Sequence, residues 1–370
     1  MRVLLYTRRC KVSPFACFLL CAPLLLPCPE RITNMIISKK TRVLFKRIFW
    51  VFVPAVLVLG LGVVGLSLYL IHRLAHPPRT QLYGSPRDFQ VIMQKPMWSD
   101  EKWKNSDSTQ SVGWFLSQNK PAPAIILSHS YESNRSELLT LSFELWKAGY
   151  HVLVYDLRGH GESPVNWSGL GTYERDDLLS AIKFVKGRKS DTGQDLLDGR
   201  IGLYGAGLGG YVSLVASSQD PMVKAVAVDS VYPDVGFFIS HNLKSYVGSE
   251  SEWANNLVNS PWTTNMTKLA MQVYLLRRED SAPAVEAVGA ASGRRLLFIT
   301  GKDAGPLQDT TKELYNQARD NKEIAEMDLS RLERLYDQQS SSYDARVVRF
   351  FSEAIPMATE KPASQPRAKK

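Results

Sequence analysis

Four short strings hold most of the residues with chemistry to offer. They read Ser128-His129-Ser130-Tyr131-x-x-Asn134-Arg135, Asp156-x-Arg158-Gly159-His160-Gly161-x-Ser163, Gly205-Ala206-Gly207-Leu208-Gly209-Gly210 and Gly301-Lys302-Asp303-x-x-Pro306. A serine hydroxyl is a weak nucleophile until an adjacent base takes its proton, and an aspartate can orient that base. Backbone amides at the start of a helix can hold a carbonyl or carboxylate oxygen. A glycine-rich turn lets a bound group approach the backbone. The six histidines (His72, His76, His129, His151, His160, His241) are scattered without metal-ligand spacing, so neither a metal nor a cofactor is expected.

Each string follows an apolar run that must position it. Candidate strands are Ala124–Ser128, His151–Asp156, Ile201–Tyr204, Val223–Asp229, Leu296–Thr300 and Glu323–Asp328. Amphipathic helical patterns lie between most of them, at Glu137–Ala148, Tyr173–Lys186, Gly210–Ser218 and Thr310–Asn321. Two extended stretches, Asp88–Gln94 and Gln110–Leu116, come first. Near-continuous apolar strands alternating with helices imply a mostly parallel sheet covered on both faces. In such folds ligands gather at the carboxyl ends of the strands, where the four strings lie. Residues 231–293 break the rhythm with Phe237, Phe238, Tyr246, Trp253, Trp262 and Tyr274, and are long enough for a helical cap.

In order and spacing the strings resemble the α/β-hydrolase superfamily, in particular its lipase- and peptidase-like serine hydrolases, over Phe89–Ile355. The resemblance implies the α/β-hydrolase fold with a cap insertion. It places the nucleophile at the middle of Gly-x-Ser-x-Gly, and here that residue is Gly207. Asp303 matches the family's acid, with a gap from Gly301 one residue short. The family's histidine should stand shortly before Leu335-Tyr336, in Asp328-Leu-Ser-Arg-Leu-Glu-Arg334, but no histidine occurs after His241. The amides of Tyr131 and Leu208 match the oxyanion donors. His129 and His160 take structural roles by the same resemblance, His241 is a packed or solvated cap residue, and Ser130 and Ser163 lack a visible base.

Nucleophile and base work as a unit, so losing both outweighs either loss alone. The expected function is therefore binding, of a small hydrophobic or acyl-bearing ligand or of a protein partner. The alternative is an active hydrolase of ester or amide bonds that uses other residues. A third reading belongs to another class. Gly205–Gly210 satisfies Gly-x-Gly-x-x-Gly, and Asp229 ends the next strand, near where a dinucleotide-binding fold keeps its ribose-binding acid. Such a fingerprint normally opens the first βαβ unit, whereas two units precede it here.

Ile48–Ile71 is a run of 24 uncharged residues, reaching roughly 36 Å as a helix, and reads as one transmembrane helix. Lys39, Lys40, Arg42, Lys46 and Arg47 precede it and only Arg73 and Arg79 follow closely. The positive-inside rule then puts the N-terminus in the cytoplasm and the domain on the other side. Residues 1–47 form the basic N-terminus, with 1–34 read as an upstream extension of the frame before Met35. Residues 72–87 read as a linker, 88–357 as the hydrolase-like domain and 358–370 as a disordered basic tail. The net charge of +9 resides in the two ends: residues 1–79 hold 12 Lys and Arg against one acid, and the tail four against one. Residues 80–357 are net acidic, so no nucleic-acid partner is expected. All four cysteines lie in the first 28 residues, which excludes a disulfide framework in the domain.

Overall fold

A computed structural model describes residues 39–89, 97–247, 252, 256, 260–274, 283–291, 293–319, 321–331 and 337–357. The expected upstream extension and the basic tail lie outside the described residues. Two compact units divide at Gly62 and Val63.

The first unit contains the start of helix α1 (Lys39–Ala75), which continues into the second. Residues 46–75 are long and apolar enough to cross a membrane, and the large apolar side chains from Ile48 to Leu61 are exposed. Exposure suits a helix whose solvent is lipid rather than water. Pro54 lies inside the helix, a position tolerated in membrane helices.

The second unit is built on an eight-stranded sheet in the order β1-β2-β4-β3-β5-β6-β7-β8. The strands are β1 (Met97–Lys104), β2 (Gln110–Ser117), β3 (Ala122–Ser128), β4 (His151–Tyr155), β5 (Leu197–Ala206), β6 (Val223–Asp229), β7 (Arg295–Gly301) and β8 (Lys322–Met327). β2 runs antiparallel to β1 and to β4, and every pairing from β4 to β8 is parallel. Alternating side chains feed two apolar cores. Ala124 and Ile126 face one, Ile125 and Leu127 the other; Leu153 and Tyr155 join the first, Val152 and Val154 the second. Helices α4 (Thr172–Lys186) and α5 (Leu208–Ser217) cover the first face, with α8 (Ala284–Ala290) and α9 (Pro306–Gln317). Helices α3 (Leu139–Lys147) and α10 (Asp337–Ala354) cover the second. The expected parallel sheet with helices on both faces is what forms.

Four details differ from the sequence expectations. The stretch expected to be extended at Asp88–Gln94 begins as the helical turn α2 (Pro86–Phe89), and its remainder lies outside the described residues. The strand that pairs with β2 is instead β1, whose MWSDEKWK has four charged residues because it is a sheet edge. α1 runs four residues past Ile71, so the segment that follows the apolar run is helical, not linker, as far as Ala75. The excursion between β6 and β7 contains α6 (Val235–Val247), α7 (Pro261–Tyr274) and α8. Of these α8 packs against α5 and α9 in the helix layer, so α6 and α7, which pack on each other, make up the described part of the cap.

Candidate functional site

Strand register brings the four strings to one edge of the sheet. Ser128 is level with Gly205, Ala206 with Asp229, Asp229 with Ile299, and Gly301 with Met327. At the centre of that edge β5 turns directly into α5 through Gly207, whose φ of 51° and ψ of −113° lie where residues with a Cβ are strained. Its amide is fixed by Asp229 O at 2.9 Å, and its carbonyl accepts from Tyr211 N at 3.1 Å. The turn is a sharp strand-to-helix elbow with no side chain at its tip.

The neighbouring glycine packs the elbow against the first string. A Cβ on Gly209 would come within 2.4 Å of Ser128 O and 2.6 Å of His129 O, so only glycine allows this approach. Leu208 opens α5, and the first amides of a helix have no partner inside it. Tyr131 lies two residues beyond the loop that Gly209 touches, and its hydroxyl donates to Leu74 O at 2.8 Å. The two expected oxyanion donors thus sit on adjoining loops. Phe238 of α6 packs edge-on against the Tyr131 ring at 5.0 Å and closes the cap over it.

Neither loop histidine is placed to act as a base. His129 is fully buried, with Nδ1 on Ser130 O at 2.7 Å and Nε2 accepting from Leu157 N at 3.0 Å. Burial chiefly drives its pKa down to about 4, so the ring is neutral. His160 is also fully buried, and its Nδ1 meets Arg158 O at 2.9 Å. Burial and the neighbouring His129 push its pKa down to about 3. His241 lies between the rings of Tyr232 and Phe237, a packed cap residue.

The rest of the second string is scaffold. Asp156 accepts from the Arg135 amide, the Arg135 guanidinium and Glu162 N, and burial still raises its pKa. Arg158 makes a two-point contact with Asp177 (2.7 and 2.6 Å), reaches Asp107 at 3.0 Å and lies over the rings of Trp167 and Tyr173. Ser130 Oγ donates to Glu137 at 3.0 Å, and Ser163 is buried.

On the acid side, Asp303 follows β7 in a single 3₁₀ turn and accepts from Ser330 N at 2.7 Å and Ser330 Oγ at 2.9 Å. Ser330 lies in the segment where the resemblance expects a histidine; residues 332–334 of that segment lie outside the described residues.

Asp229 corrects the dinucleotide reading. It is wholly buried and accepts from Arg331 N at 2.6 Å, Tyr343 Oη at 2.6 Å and Ser230 Oγ at 2.7 Å. Burial raises its pKa to about 6. A carboxylate so enclosed has no edge left for a ribose, and Gly205–Gly210 follows the fifth strand instead of the first.

Sequence reasoning missed three residues here. Ser230, next to the elbow, is a serine at φ 52°, a conformation no composition signal reports. Arg331 is buried, paired with Asp344 and stacked on Tyr343, although a lone arginine in a loop reads as solvated. Ser330 meets Asp303 across two loops, a pairing that no local signal in the sequence marks. Among the described residues no three His, Cys, Asp or Glu side chains come together as metal ligands.

A family model of the X-Pro dipeptidyl-peptidases (S15 family) matches residues 116–287. An esterase of Pyrococcus furiosus superposes with a TM-score of 0.56 at 20% identity, over 77% of this chain and 99% of that one. The α/β-hydrolase GrgF of a Penicillium species gives 0.53 at 18% identity, over 70% and 99%. The chain has the α/β-hydrolase fold. Among curated proteins, it is 29% identical over 137 residues to an uncharacterised 31.7 kDa protein of Escherichia coli, covering 36% of this chain and 44% of that one. It is 27% identical over 103 residues to uncharacterised YqkD of Bacillus subtilis, covering 28% and 32%. The chain thus spans less than half the length of these curated relatives.

Proposed function

We propose that this chain is a membrane-anchored α/β-hydrolase-fold protein that has relinquished serine-hydrolase chemistry and binds a small hydrophobic or acyl-bearing ligand at the retained edge. One observation carries this reading: the elbow is kept, with Gly207 at its tip, while Asp303 is engaged by Ser330 where a catalytic histidine would be oriented. Glycine cannot be acylated, and without a histidine the acid has no base to orient. The amides of Leu208 and Tyr131, on adjoining loops, match the donors that hold a carbonyl or carboxylate oxygen in the family it resembles. The apolar lining of α6 suits the hydrocarbon part of such a ligand.

The anchor reading is supported by the length and exposure of the apolar part of α1. The cations that precede it favour a cytoplasmic N-terminus and an extracytoplasmic domain. Ser230 favours a second reading, in which the chain is a hydrolase using other residues. It is a strained serine beside the elbow with a carboxylate partner, Asp229. Reaction of the full chain in membranes with a serine-directed fluorophosphonate separates the two. Absence of labelling supports the binding reading, and labelling at Ser230 supports the hydrolase.

A further inference from the structure

The last turns of α1 are bound into the domain. Ile71, Leu74 and Ala75 are buried and Val63, Ser67 and Leu70 half-buried, all on one face at helical spacing. Beside them ends α7, where Tyr274 Oη meets His72 Nδ1 at 2.6 Å and the two rings stand edge to face. His72 is the first polar residue after the apolar run. The cap helix α7 therefore terminates at the level where the run gives way to polar residues.

That helix has an unusual outer face. Outside α1, the large apolar side chains exposed among the described residues are Tyr83, Trp262, Leu269, Val273 and Val285, and three of these five stand on α7. At 100° per residue, positions 262, 269 and 273 fall within about 40° of one another. The opposite side, at Thr267 and Met271, is buried. The one charged residue of α7, Lys268, points toward Asp234, 3.8 Å away, and leaves the stripe uncharged. An uncharged stripe that opens on a tryptophan, on a helix whose other side is buried, has the amphipathic pattern of a helix lying in a membrane interface.

We propose that α7 lies along the surface of the bilayer that α1 enters, with Trp262, Leu269 and Val273 set into the boundary between headgroups and acyl chains. The proposal rests on the anchor reading given above. A lipid surface is the occupant these observations favour, since α7 is joined to α1 through His72 at the end of the apolar run, so the surface that receives the one lies at the other. It also gives the cap a role. α7 packs on α6, and Phe238 of α6 covers Tyr131, so a hydrophobic or acyl-bearing ligand would reach the strand ends from the lipid side.

Nitroxide accessibility tests this on the full chain in phosphatidylcholine vesicles, with Cys10, Cys17, Cys21 and Cys28 each replaced by serine. Spin labels are placed singly by Leu269→Cys, Val273→Cys, Leu59→Cys within the apolar run, and Asp191→Cys on an exposed loop. The expected result is that positions 269 and 273, like 59, collide with molecular oxygen severalfold more often, relative to a water-soluble nickel chelate, than position 191. Aqueous behaviour at 269 and 273 with lipid behaviour at 59 would overturn the proposal and leave the anchor intact. Aqueous behaviour at all three would overturn the anchor reading with it.

Discussion

Ser330 engages both oxygens of Asp303, donating its amide to Oδ1 at 2.7 Å and its hydroxyl to Oδ2 at 2.9 Å. On the proposed reading this carboxylate stands where a serine hydrolase would orient an imidazole. A serine hydroxyl fills the hydrogen bond there and brings no base of useful pKa. The contact ties together the loops after β7 and β8.

Protonation of His129 and His160 gives the first prediction. Both are held neutral by burial, with folded pKa values of about 4 and about 3, below the ordinary 6.5 of the unfolded chain. The unfolded state then binds more protons, so their contribution is present above about pH 6.5 and is lost as pH falls toward 4 and then 3. Asp177 and Asp229, raised by burial to about 6, act in the opposite sense: their folded forms hold protons longer, and stability falls from about pH 4 to 6. Denaturant titrations of native protein and His160→Phe isolate the histidine. The variant should show a weaker loss of stability on acidification from pH 6.5 to 4; parallel curves would contradict the assignment.

The buried Arg158–Asp177 pair gives the second. Arg158→Ala leaves Asp177 enclosed without its partner, and breaking such a pair costs about 3–5 kcal/mol. Joint replacement, Arg158→Met with Asp177→Leu, should recover much of that loss because no isolated charge remains. Urea unfolding midpoints read both. A loss under about 1 kcal/mol in Arg158→Ala would mean the pair is hydrated.

The legible part of the fold was the part written as unbroken apolar strands. β3 to β7 and the edge they share follow from runs such as Ala124–Ser128, and Gly207 was visible because a glycine stands where a short motif demands serine. β1 was not legible, since an edge strand with Asp100, Glu101, Lys102 and Lys104 has no apolar run to report. The docking of Ile71 and Leu74 was hidden for a different reason: side chains that suit lipid also suit a protein core. Arg331 is buried against Asp229 and Asp344, partners that no local pattern specifies. The Asp303–Ser330 contact joins residues 27 apart, through two loops whose approach is set by β7–β8 pairing.

Ligand binding gives the third prediction. An environment-sensitive fatty-acyl probe should bind the full chain, and Phe238→Ala should weaken binding at least about tenfold, or ~1.4 kcal/mol, by opening the cap over Tyr131. Equilibrium fluorescence titration reads the affinity. Unchanged affinity in a folded variant would place the binding site away from α6.

Topology gives the fourth. Five cations precede the apolar run and two follow it closely, so protease added outside intact cells or spheroplasts should digest the domain beyond His72. Complete protection of the domain, with a cytoplasmic reporter active at the C-terminus, would reverse the orientation.

If the elbow survives without its chemistry, covalent labelling at position 207 will show it. Native chain, Gly207→Ser, and Gly207→Ser combined with Ser330→His are each treated with a fluorophosphonate, and adduct formation is followed by mass spectrometry. The single variant places a side chain at φ 51°, a strain of about 1–3 kcal/mol, so folding is checked in parallel. General-base help is worth roughly 10²–10⁴-fold when the geometry is right, and a grafted histidine on Asp303 would supply less. The native chain should show no labelling, Gly207→Ser a trace, and the double variant clear labelling at position 207. Robust labelling of the native chain at Ser230, or at any serine on the strand-end edge, would contradict it.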